Sequence, residues 1–391
     1  MRALTDHITF VGADDDNLDL FEGQYPLVGG ISYNSYLIDD ERIAVIDAVD
    51  IRRCKVWLDS LRESLGESRA PHYLVVQHME PDHSGSIRAF TMAFPEAKIV
   101  CTKKASEMMA NYFEDVDFSG RMMIVGDGDE LRLGRAVLRF VTAPMVHWPE
   151  VMMTLEQTDG VLFSADAFGS FAMSGGATGD AWDAEARRYY CNIVGRFGPS
   201  VQSAMKKIKD LRFNTVAPLH GPVLTENLTR YWQLYDKWSR YEPETAGVLV
   251  AYASIYGGTA EAARRIASEL QARDCAGEVV LMDLSRHDVS YAVAEAFRLS
   301  RMVLCSVTYD GSLFPAMQNF LHHLEAKKLS GRKVALVENG SWAPVAARKM
   351  AEQLSALKNI TIVDPVLTIK SRLHNSDILV MRRLIAALLG E

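Results

Sequence analysis

The stretch His78-Met79-Glu80-Pro81-Asp82-His83-Ser84-Gly85 decides the reading of this chain, because it offers four good metal ligands within six residues. It follows Tyr73-Leu74-Val75-Val76, an apolar run that reads as a buried strand bounded by a turn. The ligands therefore sit at a strand's end. Pro81 cannot continue a strand ladder, so the chain must turn between Glu80 and Asp82, and neighbouring side chains diverge. Ser84-Gly85-Ser86 then leads into a helix expected over 87–94. Four polar side chains beside a buried strand are costly unless something pairs them.

Three isolated candidates lie further along, each closing an apolar run: His147, Asp166 and His220. Taken singly, His147 or His220 would read as a hydrogen-bonded structural histidine. Strand ends in a layered α/β fold face one rim, however, so ligands placed there can converge across long gaps. Four imidazoles and three carboxylates make a site for two metals rather than one. The absence of thiolates argues against an iron–sulfur cluster or a Cys-type zinc site. Mixed imidazole and carboxylate donors suit iron, manganese or zinc, and three carboxylates favour iron.

The pattern H-x-E-x-D-H, with Pro144-Met145-Val146-His147-Trp148-Pro149, Ser164-Ala165-Asp166-Ala167-Phe168-Gly169 and His220-Gly221-Pro222, resembles the flavodiiron proteins. Glu80 is the discriminating position, since hydrolases of the same metallo-β-lactamase-like fold usually carry His there. The resemblance implies one iron held by His78, Glu80 and His147, another by Asp82, His83 and His220, and Asp166 bridging them. No catalytic residue is expected beyond these ligands.

At 391 residues the chain exceeds the usual ceiling for one hydrophobic core, so two domains are expected. A net charge of −8 gives no electrostatic footprint for nucleic acid. The basic clusters at 206–209 and 327–333 read as solvated helix ends. Five scattered cysteines without a C-x-x-C pair fit a reducing cytoplasm and exclude a rubredoxin-type module within the chain. The start, Met1-Arg2-Ala3-Leu4-Thr5-Asp6-His7, has no signal-peptide pattern, and no apolar run is long enough to span a bilayer. The expectation is a soluble, cytoplasmic protein.

Within the first domain, residues 8–50 read as short antiparallel strands near 8–11, 32–38 and 42–46, one half of a β-sandwich. A helix is expected over 56–65. Asp127, Gly128 and Asp129 look like ligands, but 125–131 reads as a hairpin turn. The stretch 168–192, rich in glycine and aromatics, reads as a long loop lidding the metals. Arg240-Tyr241-Glu242-Pro243-Glu244-Thr245-Ala246-Gly247 reads as a linker, giving a first domain over 1–245 and a second over 247–391.

From 247 the texture becomes strand, loop and helix five times over, with strands near 248–252, 278–284, 302–307, 333–338 and 361–367. Helices are expected near 259–273, 290–299, 315–328, 343–357 and 376–389. Five such units mean a doubly wound parallel sheet. Its first loop, Ser254-Ile255-Tyr256-Gly257-Gly258-Thr259, opens onto a helix whose N–H groups form an anion site. No Lys follows the glycines, which disfavours a triphosphate loop. This loop resembles the flavodoxin phosphate loop, and two later ones support it: Ser306-Val307-Thr308-Tyr309-Asp310-Gly311 and Glu338-Asn339-Gly340-Ser341-Trp342. All except Val307 are expected FMN contacts, with Trp342 and Tyr309 as planar partners for the ring. Gly258 and Glu338 depart from the family's usual residues, and Glu338 is expected to bring a negative charge near the flavin edge.

The fold class expected is thus α/β, a metallo-β-lactamase-like αββα sandwich followed by a flavodoxin-like doubly wound parallel five-stranded sheet. The resemblance implies an oxidoreductase that reduces O2 to water, NO to nitrous oxide, or both. Its cofactors would be FMN and two Fe ions, its electron donor a rubredoxin-like carrier, and its assembly a head-to-tail homodimer or homotetramer without nucleic acid or membrane. The alternative is a binuclear zinc hydrolase carrying an accessory flavodoxin domain.

Overall fold

A computed structural model describes residues 2–66 and 68–391, so Met1 of the N-terminal stretch lies outside the described residues. The chain forms two compact units. One comprises the residues up to Tyr190 with Pro199–Tyr235, and the other comprises Cys191–Gly198 with Asp236–Glu391. The short excursion Cys191–Gly198 is tied to its unit by Asn192, whose Nδ2 donates to the Ser290 carbonyl at 3.2 Å.

The first unit stacks two sheets. Seven strands run in the order Arg2–Ala3, Ile8–Phe10, Tyr36–Ile38, Ala44–Ile46, Tyr73–Val75, Lys98–Cys101 and Met122–Ile124. Five more run Glu130–Arg132, Val137–Thr142, Met152–Glu156, Val161–Phe163 and Thr215–Ala217. Alternate residues of each strand enter a shared core: Tyr36 with Ile38, Ala44 with Ile46 and Tyr73 with Val75 from one sheet, Leu138 with Phe140 and Val161 with Phe163 from the other. The strand period of two thus joins the sheets face to face. Leu37, Val45, Leu74 and Ile99 point the other way and are also buried, which explains unbroken apolar runs such as Tyr73-Leu74-Val75.

Three expectations for this unit are corrected. The run 32–38 is broken, because Ile31–Tyr33 pairs with Ala13–Asp15 and Asn34 leaves the ladder to donate to the carbonyls of Pro218 and Gly221. Residues 125–131 are not a hairpin turn but the crossing from one sheet to the other, Met122–Ile124 pairing with Lys98–Cys101 and Glu130–Arg132 with Val137–Thr142. The second half of 168–192 is not loop. It forms a 3-10 turn at Gly179–Trp182 and a helix at Asp183–Tyr189.

The second unit has five parallel strands in the order Glu278–Asp283, Thr245–Ala253, Leu299–Tyr309, Lys333–Asn339 and Thr361–Ile369. The strand order reverses between Thr245–Ala253 and Leu299–Tyr309, and a crevice opens beyond their carboxyl ends. A sixth piece not expected from sequence, Ser312–Leu313, pairs antiparallel with the end of Leu299–Tyr309. Asp310 and Gly311, both at positive φ, turn the chain between them as a tight hairpin.

Among the described residues, no helix is long and apolar enough to cross a membrane. Trp57 anchors the helix Cys54–Leu65: it is fully buried, stacks on Phe90 at 5.8 Å, and its Nε1 donates to Ser35 Oγ at 2.9 Å. Trp57→Ala should destabilise the first unit by about 3–5 kcal/mol. Urea unfolding followed by that unit's transition measures it, and an unchanged midpoint would refute the packing role.

Candidate metal centre and cofactor cavity

Backbone geometry delivers the seven candidate ligands. The strand Tyr73–Val75 leads into Gln77 and His78, whose N–H groups donate to Asp47 Oδ1 at 2.8 and 3.4 Å. Pro81 occupies the first turn of a one-turn helix, Pro81–Ser84, where its missing N–H costs nothing. That helix turns Asp82 and His83 away from His78 and Glu80, and Ser84 Oγ ties it back to the Met79 carbonyl at 2.8 Å. Met145 and Ala165 adopt positive φ just before His147 and Asp166. Non-glycine residues held there mark backbone over-determined by its surroundings. Behind His220, Gly221 sits at φ +81°, where a Cβ would meet Ser170 Oγ at 2.2 Å.

The seven side chains meet. His78 Nε2 lies 3.3 Å from Glu80 Oε2 and 3.3 Å from Asp166 Oδ2, while His147 Nε2 lies 2.9 Å and 3.1 Å from the same two oxygens. In the neighbouring group, Asp82 Oδ2 is 3.4 Å from His83 Nε2 and 3.2 Å from His220 Nε2, and the two imidazole nitrogens are 3.0 Å apart. Asp166 Oδ1 faces this second group, 3.3 Å from His83 Nε2. One carboxylate thus gives an oxygen to each triad.

These donors are not satisfied by one another. Both oxygens of Asp82, both of Asp166 and Nε2 of His147 are buried without a hydrogen-bond partner. Donor-to-donor separations of about 3 Å are the edge lengths that a cation with bonds of ~2.0–2.2 Å produces. The residues present therefore fit two cations. A further group, His7 with Glu156 and Asp159, does not. Arg135 brings its guanidinium within 2.7 Å of His7 Nδ1, and the Glu156 oxygens accept the N–H groups of Thr158 and Asp159.

The sequence reading missed the outer supports. Glu150 Oε1 accepts from Met79 N–H and lies 2.8 Å from His78 Nδ1, orienting that imidazole with Nε2 toward the centre. The Ser32 carbonyl does the same for His220 Nδ1 at 2.6 Å. Glu150 follows His147-Trp148-Pro149, but only the fold reveals that it reaches back across 72 residues of chain to His78. An aromatic wall also went unseen: the rings of Phe21, Tyr189 and Tyr33 stand 5.2, 5.6 and 6.0 Å from His220, and Trp148 stands edge-on to His78 at 5.4 Å.

Charge is shared across the cluster. Burial by itself lowers the His147 imidazole, but Asp166 and Glu80 outweigh it and carry it to about 9. Burial raises the Asp166 carboxyl, yet the imidazoles of His78, His147 and His83 hold it well below the usual carboxylate range.

In the second unit a cavity of about 1150 Å³ opens at the topological switch point. Ser254, Ile255, Tyr256, Gly257, Gly258 and Thr259 line it, with Thr308, Tyr309, Asp310, Gly311, Asn339, Gly340, Ser341 and Trp342. The helix Gly258–Gln271 starts at its base, with Gly257 at φ +90° as N-cap. The departure at Gly258 has a local cause, since a Cβ there would meet the Ser371 carbonyl at 2.0 Å. Two expected contacts stand back from the cavity. Ser306 is buried and bonds the Val307 carbonyl, and the Glu338 carboxylate accepts from Ala347 N–H and Thr368 Oγ1. Glu338 therefore caps the helix Ala346–Leu354 instead of presenting charge to a ring. Arg264, Ser371 and Arg372, not anticipated, also line the cavity.

Residues 31–221 match the model of the ODP family beta lactamase. Over 379 residues the chain is 29% identical to a nitric oxide reductase of Moorella thermoacetica, covering 94% of this chain and 93% of that protein. It is 28% identical over 357 residues to an anaerobic nitric oxide reductase flavorubredoxin of Vibrio vulnificus, covering 89% and 72%. Among solved structures it superposes on rubredoxin oxygen:oxidoreductase from Desulfovibrio gigas with a TM-score of 0.92, at 23% identity over 99% and 97% of the two chains. The flavodiiron protein of Giardia intestinalis gives 0.88, at 23% identity over 100% and 95%.

Two outcomes follow from the site geometry. Glu150→Gln should weaken metal binding about 10–100-fold by loosening His78, while leaving the second unit's cavity untouched; chelator competition measures it, and unchanged affinity would refute the anchor. The pH dependence has a definite sign. Because folding raises His147 from its ordinary 6.5 to about 9, the stability this contributes is complete below pH 6.5 and lost as pH rises through 9. Metal-stripped protein should lose melting temperature across that window, while divalent-cation affinity rises with proton release. Calorimetry in two buffers of different ionisation enthalpy checks both trends.

Proposed function

We propose that this chain, a flavodiiron protein in its fold and in the relatives it matches, reduces O2 to water, NO to nitrous oxide, or both. The centre would be two irons, one held by His78, Glu80 and His147, the other by Asp82, His83 and His220, with Asp166 between. The single observation carrying this reading is the pair of buried donor triads sharing one carboxylate whose oxygens have no other partner. Three carboxylates offset most of the charge of two divalent ions, which a buried site requires. Glu80 supplies the third, and so distinguishes the donor set from the imidazole-richer set expected of zinc hydrolases. When bound, the iron pair would supply electrons to the diatomic gas, and FMN would pass single electrons from a rubredoxin-like carrier.

Ser254 through Thr259 and the N-terminus of the helix Gly258–Gln271 would hold the FMN phosphate. Trp342 and Tyr309 would flank the ring. Trp342 and Tyr256 are 83% and 99% exposed at the cavity, and such aromatic surface favours burial against another protein. This supports a head-to-tail homodimer or homotetramer in which a second copy covers that rim. Five free cysteines support a cytoplasmic setting.

The decisive experiment reduces the protein anaerobically and mixes it with O2 or NO separately in stopped flow, alongside metal analysis. Two irons per chain and rapid gas consumption are expected. Asp166→Ala should abolish consumption and retain FMN. Two zinc ions per chain, with hydrolysis of a thioester or lactam and no gas uptake, would overturn the assignment.

A further inference from the structure

The first unit carries a solvent-open cleft of about 550 Å³ that no ligand residue lines, formed by buried Phe171, half-buried Ala172, Met173 and Gly176, and the exposed Gly175 and Val28, the last 90% exposed. Its two acidic neighbours, Asp14 and Glu185, are already engaged. Asp14 accepts from Ser174 N–H and Oγ at 2.7 and 3.0 Å, and Glu185 accepts from Arg188 at 2.8 Å. No lining side chain is cationic, so an anion finds no partner, and the apolar walls offer a hydrated ion nothing in exchange for its water. What such walls accept is a small, neutral, weakly polar molecule.

A layer of packed aromatic rings stands between the cleft and the metal centre. Phe171 lines it, and the Phe171 ring meets Tyr189 at 5.1 Å and Phe21 at 5.6 Å. Those two rings both stand against His220. The covalent link is equally short. Phe171 lies on the loop that begins at Asp166, and that loop is wedged so tightly that a Cβ on Gly169 would lie 3.0 Å from the Asp166 carbonyl and 3.3 Å from the Tyr189 ring. Arg188, pinned by Glu185 and the Pro26 carbonyl, places its guanidinium 4.4 Å from the centre of the Phe171 ring and holds it in position.

We propose that this cleft is a docking site for dissolved diatomic gas and that Phe171 separates it from the Asp82, His83 and His220 side of the metal centre. The proposal rests on the gas-reductase reading for its purpose, but not for its geometry. Gas would partition from water into the apolar walls and pass the Phe171, Phe21 and Tyr189 rings as they fluctuate, a route closed to ions.

Xenon is the direct probe, being apolar and of similar size. Crystals of the full-length protein pressurised with xenon should show it between Val28, Phe171, Ala172 and Met173. Gly175 supplies the blocking variant, since a Cβ there meets nothing within 4 Å and its φ lies outside the left-handed region. Gly175→Trp should expel xenon and lower the gas-reduction rate at limiting gas at least fivefold. The rate at saturating gas should stay within twofold, with metal and FMN content unchanged. Xenon absent from the cleft, or a variant that turns over limiting gas as fast as the parent, overturns the docking site while leaving the reductase reading intact. Xenon in the cleft of a parent protein that consumes neither gas overturns the reductase reading and leaves an apolar gas site standing.

Discussion

Two buried carboxylates and a third that is partly buried, gathered at one centre, constrain the first unit. Glu80, Asp82 and Asp166 converge at a rim where water is largely excluded, and like charges in that setting repel far more strongly than on a surface. The imidazoles of His78, His83 and His147 answer this in part by holding protons, since the neighbouring carboxylates displace all three upward against the effect of burial. Protons leave the Asp82 and Asp166 oxygens without hydrogen bonds of acceptable geometry, whereas cations at the foci of the two triads would engage them together. Much of the surrounding fold serves this convergence. Asp47 clamps the strand end, Pro81 turns the chain, Asn34 secures the carbonyls of Pro218 and Gly221 beside His220, and Glu150 orients His78.

The seven ligand candidates were legible because ligand chemistry restricts residue type, because four of them crowd into 78–83 after one apolar run, and because His147, Asp166 and His220 each close another. Their supports were not legible, and for a physical reason. Glu150 is one acidic residue among 50 acids, and Ser32 acts through its carbonyl, which any residue could provide. Rings such as Phe21 and Tyr189 read simply as core. Turn chemistry alone misled at 125–131: Asp and Gly make a turn there, but which strands it joins depends on sheet pairing that has no local signature.

The second unit shows the same division. Its strand-and-helix alternation announces a doubly wound sheet, since parallel strands buried on both faces need continuous apolar runs and crossover helices. Position along a loop, by contrast, does not give side-chain direction. Glu338 and Asn339 are neighbours on one strand end, and alternation sends Asn339 toward the cavity and Glu338 beneath it to cap a helix. Gly258 looked like a departure because its constraint comes from Ser371, 113 residues away and invisible from the loop itself.

The two triads differ in what surrounds them, and the difference follows from where the chain places them. Asp82, His83 and His220 sit on the one-turn helix and the last strand end, under Phe21, Tyr33 and Tyr189. Exposure divides by donor and not by triad: the side chains of Glu80, Asp82 and His147 are 15%, 11% and 9% exposed, against 0% for His78 and His83 and 1% for His220. Solvent can screen the charge of Glu80 but does little for Asp166, whose only compensation is what the centre itself provides. Because Asp166 gives one oxygen to each triad, cations in both would answer that charge together. A small neutral molecule approaching the Asp82, His83 and His220 side past the Phe21 and Tyr189 rings would disturb none of that compensation, whereas an ion on the same path would have to be stripped of water.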